Sequence, residues 1–442
     1  MPRPIAYAID LGATTTVLAV ALRDRVDVVV PQPPPGATHT GGAGIPTAAY
    51  VHREMLPLAG GDPFQRHLAD GGARTGCASC DRVEMVGRRA RTECMHYRPG
   101  HGCHDSRLIP ALKMLLTDPR DCVHLWGQDL EITDLTALVL RELKATADAR
   151  YGTVNRGVIG RPPFFPGGDG VDVAAEQARA VARLTKAGKL AGFDELELVD
   201  EPVAVVTGER GPGTVLAIDF GGSTFDVALV AVEEFDAEIL ALQGGAIGGG
   251  DFDAAIFERV VAPAMGLDDP LPDAVTDAMR SRRQITAAIS NQDLAAELRF
   301  LSERGRAGVD RVLSLLQADA AIHLYSAIER AKIALSSGDE AHIWFPQPGT
   351  AGTLDVVLER GEFEQLIKLD LEQVFGQIED TLHQARVSPG AVDLVILTGG
   401  SSQIPAFRRR LAEMFTADRI ALRDPFTTVV RGLALRARQV WA

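Results

Sequence analysis

Aromatic residues are scarce in this 442-residue sequence, cysteines number five, and basic residues are outnumbered by acidic ones. Each shortage removes a class of protein. Five cysteines in so long a chain do not make a disulfide scaffold of the kind that holds small secreted domains together. With 45 Lys and Arg against 59 Asp and Glu, the net charge of −14 lacks the basic footprint that nucleic-acid binding needs. No apolar run reaches the ~18 residues of a membrane-spanning helix, so no membrane role is expected. Met1 to Asp10 lacks a basic region followed by an apolar stretch and a small-residue cleavage site. The expected location is therefore the cytoplasm. What remains is a globular chain long enough for two or three domains.

One phrase occurs twice. Ile5 to Thr16 reads IAYAIDLGATTT and is followed by an apolar run; Val215 to Asp226 reads VLAIDFGGSTFD and is followed by another. Each predicts a buried strand, a tight glycine turn and a second strand. A repeat about half a chain apart points to two similar lobes, since solenoid repeats recur every ~20–50 residues. A glycine turn lets backbone N–H groups approach phosphate oxygens where a Cβ would obstruct them. The hydroxyls of Thr14, Thr15 and Thr224 can donate to the same oxygens. Asp10 and Asp219, at their strand ends, can hold water on Mg²⁺. A single Asp-x-Gly after a strand reads equally as a plain hairpin turn; two copies in matching contexts favour the phosphate reading.

Three further segments belong with these hairpins. Leu196 to Val206, LELVDEPVAVV, predicts a strand leading to an acidic pair, with Pro202 suited to the first turn of a helix. Glu201 can orient or deprotonate a water there, or can be a helix-start carboxylate favoured by the dipole. Gly244 to Asp253, GGAIGGGDFD, predicts a loop approached closely by a ligand or another backbone, or a flexible surface turn. Val392 to Pro405, VDLVILTGGSSQIP, predicts strand, glycine loop and helix start, where helix N–H groups can receive a nucleotide or simply turn the chain.

In order and spacing these segments resemble the nucleotide-binding domain of DnaK-type heat-shock chaperones, over about 1–55, 82–260 and 320–438. The resemblance implies an α/β, actin-like ATPase fold in which two ribonuclease-H-like lobes flank a nucleotide cleft. It implies a first lobe over 1–205, with a Cys-rich insertion at about 57–107, and a second lobe over 206–425, with a helical elaboration at about 262–340. Residues 426–442 would be a C-terminal helix returning to the first lobe. Asp10, Gly12 and Thr14 match the family's first phosphate loop, and Asp219, Gly221, Gly222, Thr224 and Asp226 match the second; Ala13, Thr15 and Ser223 lie within these loops as further candidate nucleotide contacts. Glu201 matches the glutamate that positions the attacking water. Leu108 to Leu116, LIPALKMLL, resembles the segment with the catalytic lysine, which makes Lys113 the candidate for the γ-phosphate. By residue type alone Lys113 would be a helix-surface lysine. Glu329 to Ser336, ERAKIALS, resembles the helix that contacts the adenosine and offers Glu329, Lys332 and Ser336; without the resemblance it is an amphipathic helix with a solvated face. Gly248, Gly249, Gly399, Gly400, Ser401 and Gln403 complete the implied nucleotide contacts. Arg161 to Pro166, RPPFFP, resembles the loop with the family's switch proline, and is equally a rigid turn.

The pattern is broken in places. Ala13 stands where the family usually has a threonine, and Ile333 and Gln403 stand where arginines commonly sandwich the adenine. Each lost stacking cation weakens binding by roughly 0.5–2 kcal/mol. The sequence ends at Ala442 without a β-rich peptide-binding part, so the expectation is a stand-alone, YegD-like member. The implied activity is slow Mg-dependent ATP hydrolysis, with ATP and ADP as ligands, opening and closing the lobes to regulate an unknown protein partner. A small-molecule kinase of the same fold and a nonhydrolysing scaffold or filament subunit are the other readings.

The cysteines cluster. Pro57 to about Asp81 interrupts an expected strand pair, Ala48–Val51 and Val83–Val86; Cys77 and Cys80 fall there and are followed by Cys94 and Cys103, with His96, His101 and His104 nearby. Two residues between the first pair suit tetrahedral zinc; the second pair is spaced more widely than in a standard ribbon. Structural zinc, free thiols and a redox pair all stay open. Helices are expected at Asp134–Arg150 and Val173–Leu190, with strands at Arg156–Gly160 and Leu196–Val199. That alternation is the mark of an α/β fold. The helical pattern at Leu294–Leu301 suggests part of the elaboration of the second lobe.

Overall fold

The computed structural model describes residues 3–13, 15–31, 44–52, 55–59, 84–86, 89–91, 106–109, 111–125, 128–165, 172–207, 212–222, 224–233, 237–266, 300–301, 303–304, 309–317, 320–346, 353–424 and 426–442. Thr14, Ser223, the four clustered cysteines and most of the segment after Gly266 lie outside the described residues, and so does most of the pattern at Leu294–Leu301.

β1 (Ala6–Leu11) and β2 (Thr15–Ala21) form the first hairpin, with Ala6 opposite Ala21 and Leu11 opposite Thr16. β2 pairs antiparallel with β3 (Val26–Val29) and, at its start, with β4 (Gly44–Pro46). β5 (Ala49–His52) pairs with β6 (Met55–Leu58), and β7 (Glu84–Val86) with β8 (Arg89–Arg91). The expected pairing of Ala48–Val51 with Val83–Val86 is therefore corrected. β7 closes locally on β8, across a loop of low closure entropy. The partner of β5 is instead β9 (Ser106–Ile109), whose Leu108 and Ile109 are buried.

Then come α1 (Leu112–Leu115), the hairpin of β10 (Cys122–Leu125) and β11 (Gln128–Glu131), α2 (Ile132–Tyr151), β12 (Arg156–Arg161), α3 (Val173–Leu190), β13 (Glu195–Asp200) and α4 (Glu201–Val206). α3 starts where Asp172 accepts a hydrogen bond from the Ala175 N–H, as an N-cap aspartate should. The strand order is β13-β12-β1-β2-β3, parallel at β13-β12-β1 and antiparallel beyond.

The second half repeats this plan. β14 (Gly213–Phe220), β15 (Phe225–Val232) and β16 (Ala237–Gly245) are antiparallel neighbours. They are followed by α5 (Gly249–Ile256), which runs on as a π turn over Phe257–Val261. Next are α6 (Val309–Gln317), α7 (Ala320–Leu335), the hairpin of β17 (Glu340–Pro346) and β18 (Thr353–Glu359), α8 (Arg360–Leu366) and α9 (Lys368–Ala385). β19 (Leu394–Thr398), α10 (Pro405–Phe415), β20 (Ile420–Leu422) and α11 (Thr428–Trp441) close the chain. The order β16-β15-β14-β19-β20 has the same pairing senses as the first sheet, strand for strand.

Alternation along the strands explains how the halves meet. Tyr7, Ile9 and Leu11 of β1 pack with Leu135, Val139, Leu140 and Leu143 of α2, while the opposite face carries Ala6 and Ala8. That small-residue face packs with Val429, Val430 and Leu433 of α11. The same core takes in Ala204 and Val205 of α4 and Val215, Ala217, Ala228 and Val230 of the second sheet, so α4 and α11 lie in one apolar layer shared by both sheets. Among the described residues no helix is long and apolar enough to cross a membrane.

Candidate functional site

Both glycine turns close in the same way. The Gly12 N–H donates to the Thr15 carbonyl at 3.1 Å, and the Gly221 N–H donates to the Thr224 carbonyl at 3.0 Å. Each aspartate stands on the strand leading into its turn. Asp10 lies opposite Val17, whereas Asp219 lies opposite Asp226 on β15 and beside Thr398 on β19. The Thr398 hydroxyl donates to Asp219 Oδ1 at 2.9 Å.

Between the turns stands one ion pair. Lys113 Nζ is 3.0 Å from Glu201 Oε1, and both residues are buried, at 8% and 6% exposure. Lys113 is thus not a surface lysine, although its residue type suggested one. Glu201 opens α4 behind Asp200, with Pro202 in the first turn as the sequence predicts. Asp200 is held by Arg161 through two hydrogen bonds of 2.7 and 3.3 Å.

Four carboxylates and one ammonium interact here, and their acidities show the imbalance. Burial raises the Asp10 carboxyl to about 8; Glu201 and Asp219 push it the same way and Lys113 opposes them. Asp219 is raised to about 6 by burial and by Glu201, with the Thr398 hydrogen bond and Lys113 pulling down. Asp226 is pushed well above the usual carboxylate range by burial, Glu201 and Asp219. Burial alone would lower the Lys113 ammonium, but Glu201, Asp10 and Asp226 outweigh it and hold Lys113 above the ordinary lysine range. Such a site holds protons on its carboxyls unless a bound cation offsets their charge. Among the described residues no three His, Cys, Asp or Glu side chains are arranged to ligate a metal.

The glycine-rich segment meets another backbone, as one of its two readings expects. The Gly249 and Gly250 N–H groups donate to the carbonyls of Gly221 and Gly222 at 3.1 and 2.7 Å, and the Ser401 hydroxyl donates to the Gly221 carbonyl at 2.8 Å. Gly248, the N-cap of α5, donates its N–H to Asp251 Oδ2 at 2.8 Å. Lys332 donates to the Gly249 carbonyl at 2.7 Å and stands 2.8 Å from Asp253. Gly399 adopts φ +79°, and a Cβ there would overlap the Phe220 carbonyl and crowd Asp219, so only glycine fits the turn. Gly400, Ser401 and Gln403 form the 3₁₀ turn before α10. Glu329 and Ser336 are half-buried at α7, while Ile333 is 61% exposed on that helix. Ala13 and Thr15 flank the first turn, half-buried.

Three functional neighbours escaped the sequence reading. Thr398 supports Asp219, Asp253 holds Lys332, and the Thr47 hydroxyl donates to the Gly12 carbonyl at 2.8 Å. Thr398 and Asp253 stood inside quoted motifs but had no charge or spacing signal for a role. Thr47 had none at all.

Two sheets of one plan, each offering a glycine turn and an aspartate to a buried lysine–carboxylate cluster, define a two-lobed α/β protein duplicated about that cluster. The sequence profile described as Hsp70 protein matches residues 116–289 and 308–440. The chaperone protein DnaK of Thermus thermophilus is 30% identical over 318 residues, covering 69% of this chain and 43% of that protein. The mitochondrial heat shock 70 kDa protein of Solanum tuberosum is 27% identical over 437 residues, covering 97% of this chain and 54% of that protein. The heat shock 70 kDa protein of Emericella nidulans is 26% identical over 451 residues, with coverages of 98% and 58%. The chain belongs to the Hsp70 family, and its α/β architecture is the actin-like ATPase fold of that family. It spans about half the length of these curated relatives.

Proposed function

We propose that this chain binds ATP between its lobes, hydrolyses it slowly with Mg²⁺, and signals the nucleotide state to a protein partner. The observation that carries this reading is the Lys113–Glu201 pair, buried among Asp10, Asp219 and Asp226 beside two matching glycine turns. A buried cluster with more carboxylates than cations is costly unless something neutralises it. The charge of Mg²⁺ would do so, and Asp10 and Asp219 would hold the ion through water. When bound, Mg²⁺ supplies charge neutralisation at the phosphates.

The chain's own groups take the remaining roles. N–H groups of the Gly12 and Gly221–Gly222 turns, with the Thr14, Thr15, Ser223 and Thr224 hydroxyls, cradle the β- and γ-phosphates. Lys113 leaves Glu201 as the γ-phosphate arrives and offsets the charge that develops there. Glu201, freed from its partner, orients the attacking water and accepts its proton. Glu329, Lys332 and Ser336, with the Gly399–Gln403 turn, flank the nucleoside. With Ile333 exposed and uncharged, no cation reaches the base from that position, which supports weak adenine selectivity. This reading routes lobe motion through the layer shared by α4 and α11, since α4 begins at Glu201 and packs on the second sheet.

Isothermal titration of nucleotide-free protein with Mg-ATP, followed by phosphate release from the same sample, tests the reading. Binding with slow release is the expected result. Folded protein that binds nothing would refute it and leave the scaffold reading; ADP release that depends on an added small molecule would favour the kinase. Zinc at Cys77, Cys80, Cys94 and Cys103 rests on spacing alone, and elemental analysis of purified protein finding less than one zinc per chain would remove it.

A further inference from the structure

The turn that carries Lys113 is too short to hold itself. α1 is four residues long, and its N-cap, Ala111, lies in the left-handed region at φ 53° and offers no side-chain cap. A helix of this length does not persist on its own. Its start is tied by the Leu112 N–H, which donates to the Thr47 carbonyl at 3.2 Å.

Its end is tied by an arginine from another helix. Arg183 on α3 donates through Nη1 to the carbonyls of Leu115, Leu116 and Asp118 at 3.2, 2.9 and 2.8 Å. Through Nη2 it donates to the Arg120 carbonyl and to Asp121 Oδ1, both at 2.8 Å. Arg179, one turn earlier, donates to the Thr117 carbonyl at 2.7 Å. Leu115 ends α1 and Leu116 caps it, so these carbonyls lie where a helix end runs out of its own donors, although the Leu115 carbonyl also accepts from the Asp118 N–H at 3.1 Å. Arg183 is 6% exposed and is the one buried arginine among the described residues. Its ion-pair partner Asp121 has an 89% exposed side chain, so charge pairing in solvent contributes little; the fork of donors onto one backbone segment is the distinctive feature.

We propose that Arg183 is a positioning residue for the reaction: by capping the end of the Lys113 turn it fixes where the Lys113 ammonium stands against Glu201. The proposal rests on the reading of Lys113 given above. It gives α3 a direct hold on the reacting region. A misplacement of ~1 Å at a catalytic group can cost about 100-fold in rate, so loss of this hold reaches the chemistry without altering the phosphate cradles.

The test uses the full chain and two readouts. Acetylation of Lys113 by an N-hydroxysuccinimide ester, followed by peptide mass spectrometry, reports how firmly the amine is held, with the buried Lys144 as internal reference. Arg183→Met should raise the Lys113-to-Lys144 labelling ratio about tenfold, and Arg183→Lys, which keeps the charge but not the fork, should fall between. In phosphate release, Arg183→Met should lower kcat about 10- to 100-fold with KM for ATP moved less than about threefold. Added methylguanidinium should restore part of kcat. An unchanged labelling ratio overturns the proposal, as does a wild-type kcat in Arg183→Met when Lys113→Ala is inactive. If Lys113→Ala remains active, or the wild-type chain shows no turnover, the catalytic reading of Lys113 fails; the labelling ratio then decides by itself whether Arg183 places that lysine. Should Arg183→Met not fold, Arg183→Lys carries both comparisons.

Discussion

The two glycine turns share a sequence phrase and a closing hydrogen bond, yet they differ in what surrounds them. The second turn is braced from three sides, by the Gly249 and Gly250 N–H groups and the Ser401 hydroxyl. The first is held at Gly12 by the Thr47 hydroxyl. Their aspartates differ likewise. Asp219 faces Asp226 across the strands but accepts from Thr398, while Asp10 has no acid opposite it and yet has the higher pKa, about 8 against about 6. Burial and Glu201 raise both carboxyls, and Asp219 differs in accepting from Thr398, a hydrogen bond that favours its charged form. The same local motif becomes a stiff support on one side and an electrostatically strained aspartate on the other.

The largest expected effect removes the counter-charge that both sides share. Lys113→Met leaves Glu201 buried without its partner, and urea unfolding at pH 8 should show a loss of about 3–5 kcal/mol. Adding Asp10→Asn should recover part of it; no recovery would show that Asp10 does not share the counter-charge.

Glycine replacement separates the turns next. A Cβ at Gly12 would overlap the Thr15 carbonyl oxygen, whereas one at Gly221 would meet the Thr224 carbonyl at an ordinary 3.6 Å. Gly12→Ala should therefore cost about 2 kcal/mol by denaturant titration and Gly221→Ala less than about 0.5 kcal/mol. Equal costs would erase the contrast between the two copies.

Acidity gives a third handle. Both carboxyls are raised in the folded chain above their ordinary value of 3.8, so the folded state keeps protons that the unfolded state has released. Their contribution to stability is fully present below about pH 4 and is lost as pH rises, first through about 6 for Asp219 and then through about 8 for Asp10. Thermal melts of nucleotide-free Asp10→Asn across that range should lack the upper part of the decline seen in wild type. Thr398→Val should make the second aspartate resemble the first, moving the lower part upward and costing about 1–2 kcal/mol at pH 8. Ser401→Ala should cost about 1 kcal/mol by denaturant titration, because the two backbone donors to the second turn remain.

Much of this architecture was legible because it depends on local pattern. Continuous apolar runs marked β1, β2, β14 and β15, and helical periodicity marked α3 to the residues at which it begins and ends, Val173 and Leu190. Glycine spacing marked both turns. The pairing of β5 with β9 was missed, since its two strands are separated by the whole insertion and no local period announces a distant partner. The Lys113 turn was found only through resemblance, because a four-residue helix carries too little pattern to reveal which way its lysine faces. Thr398 and Thr47 are single hydroxyls whose roles depend on what the fold brings beside them.

By itself the sequence determined the duplicated plan: where strands and glycine turns fall, and that each half carries an aspartate at the end of its leading strand. Only the tertiary structure decided which of the two aspartates is relieved, that Lys113 meets Glu201, and that Arg183 holds the turn between them. The reason is physical. Strand and turn preferences act over a few residues, whereas burial, Coulomb interaction and hydrogen bonding between groups 88 or 179 positions apart exist only once the chain has closed.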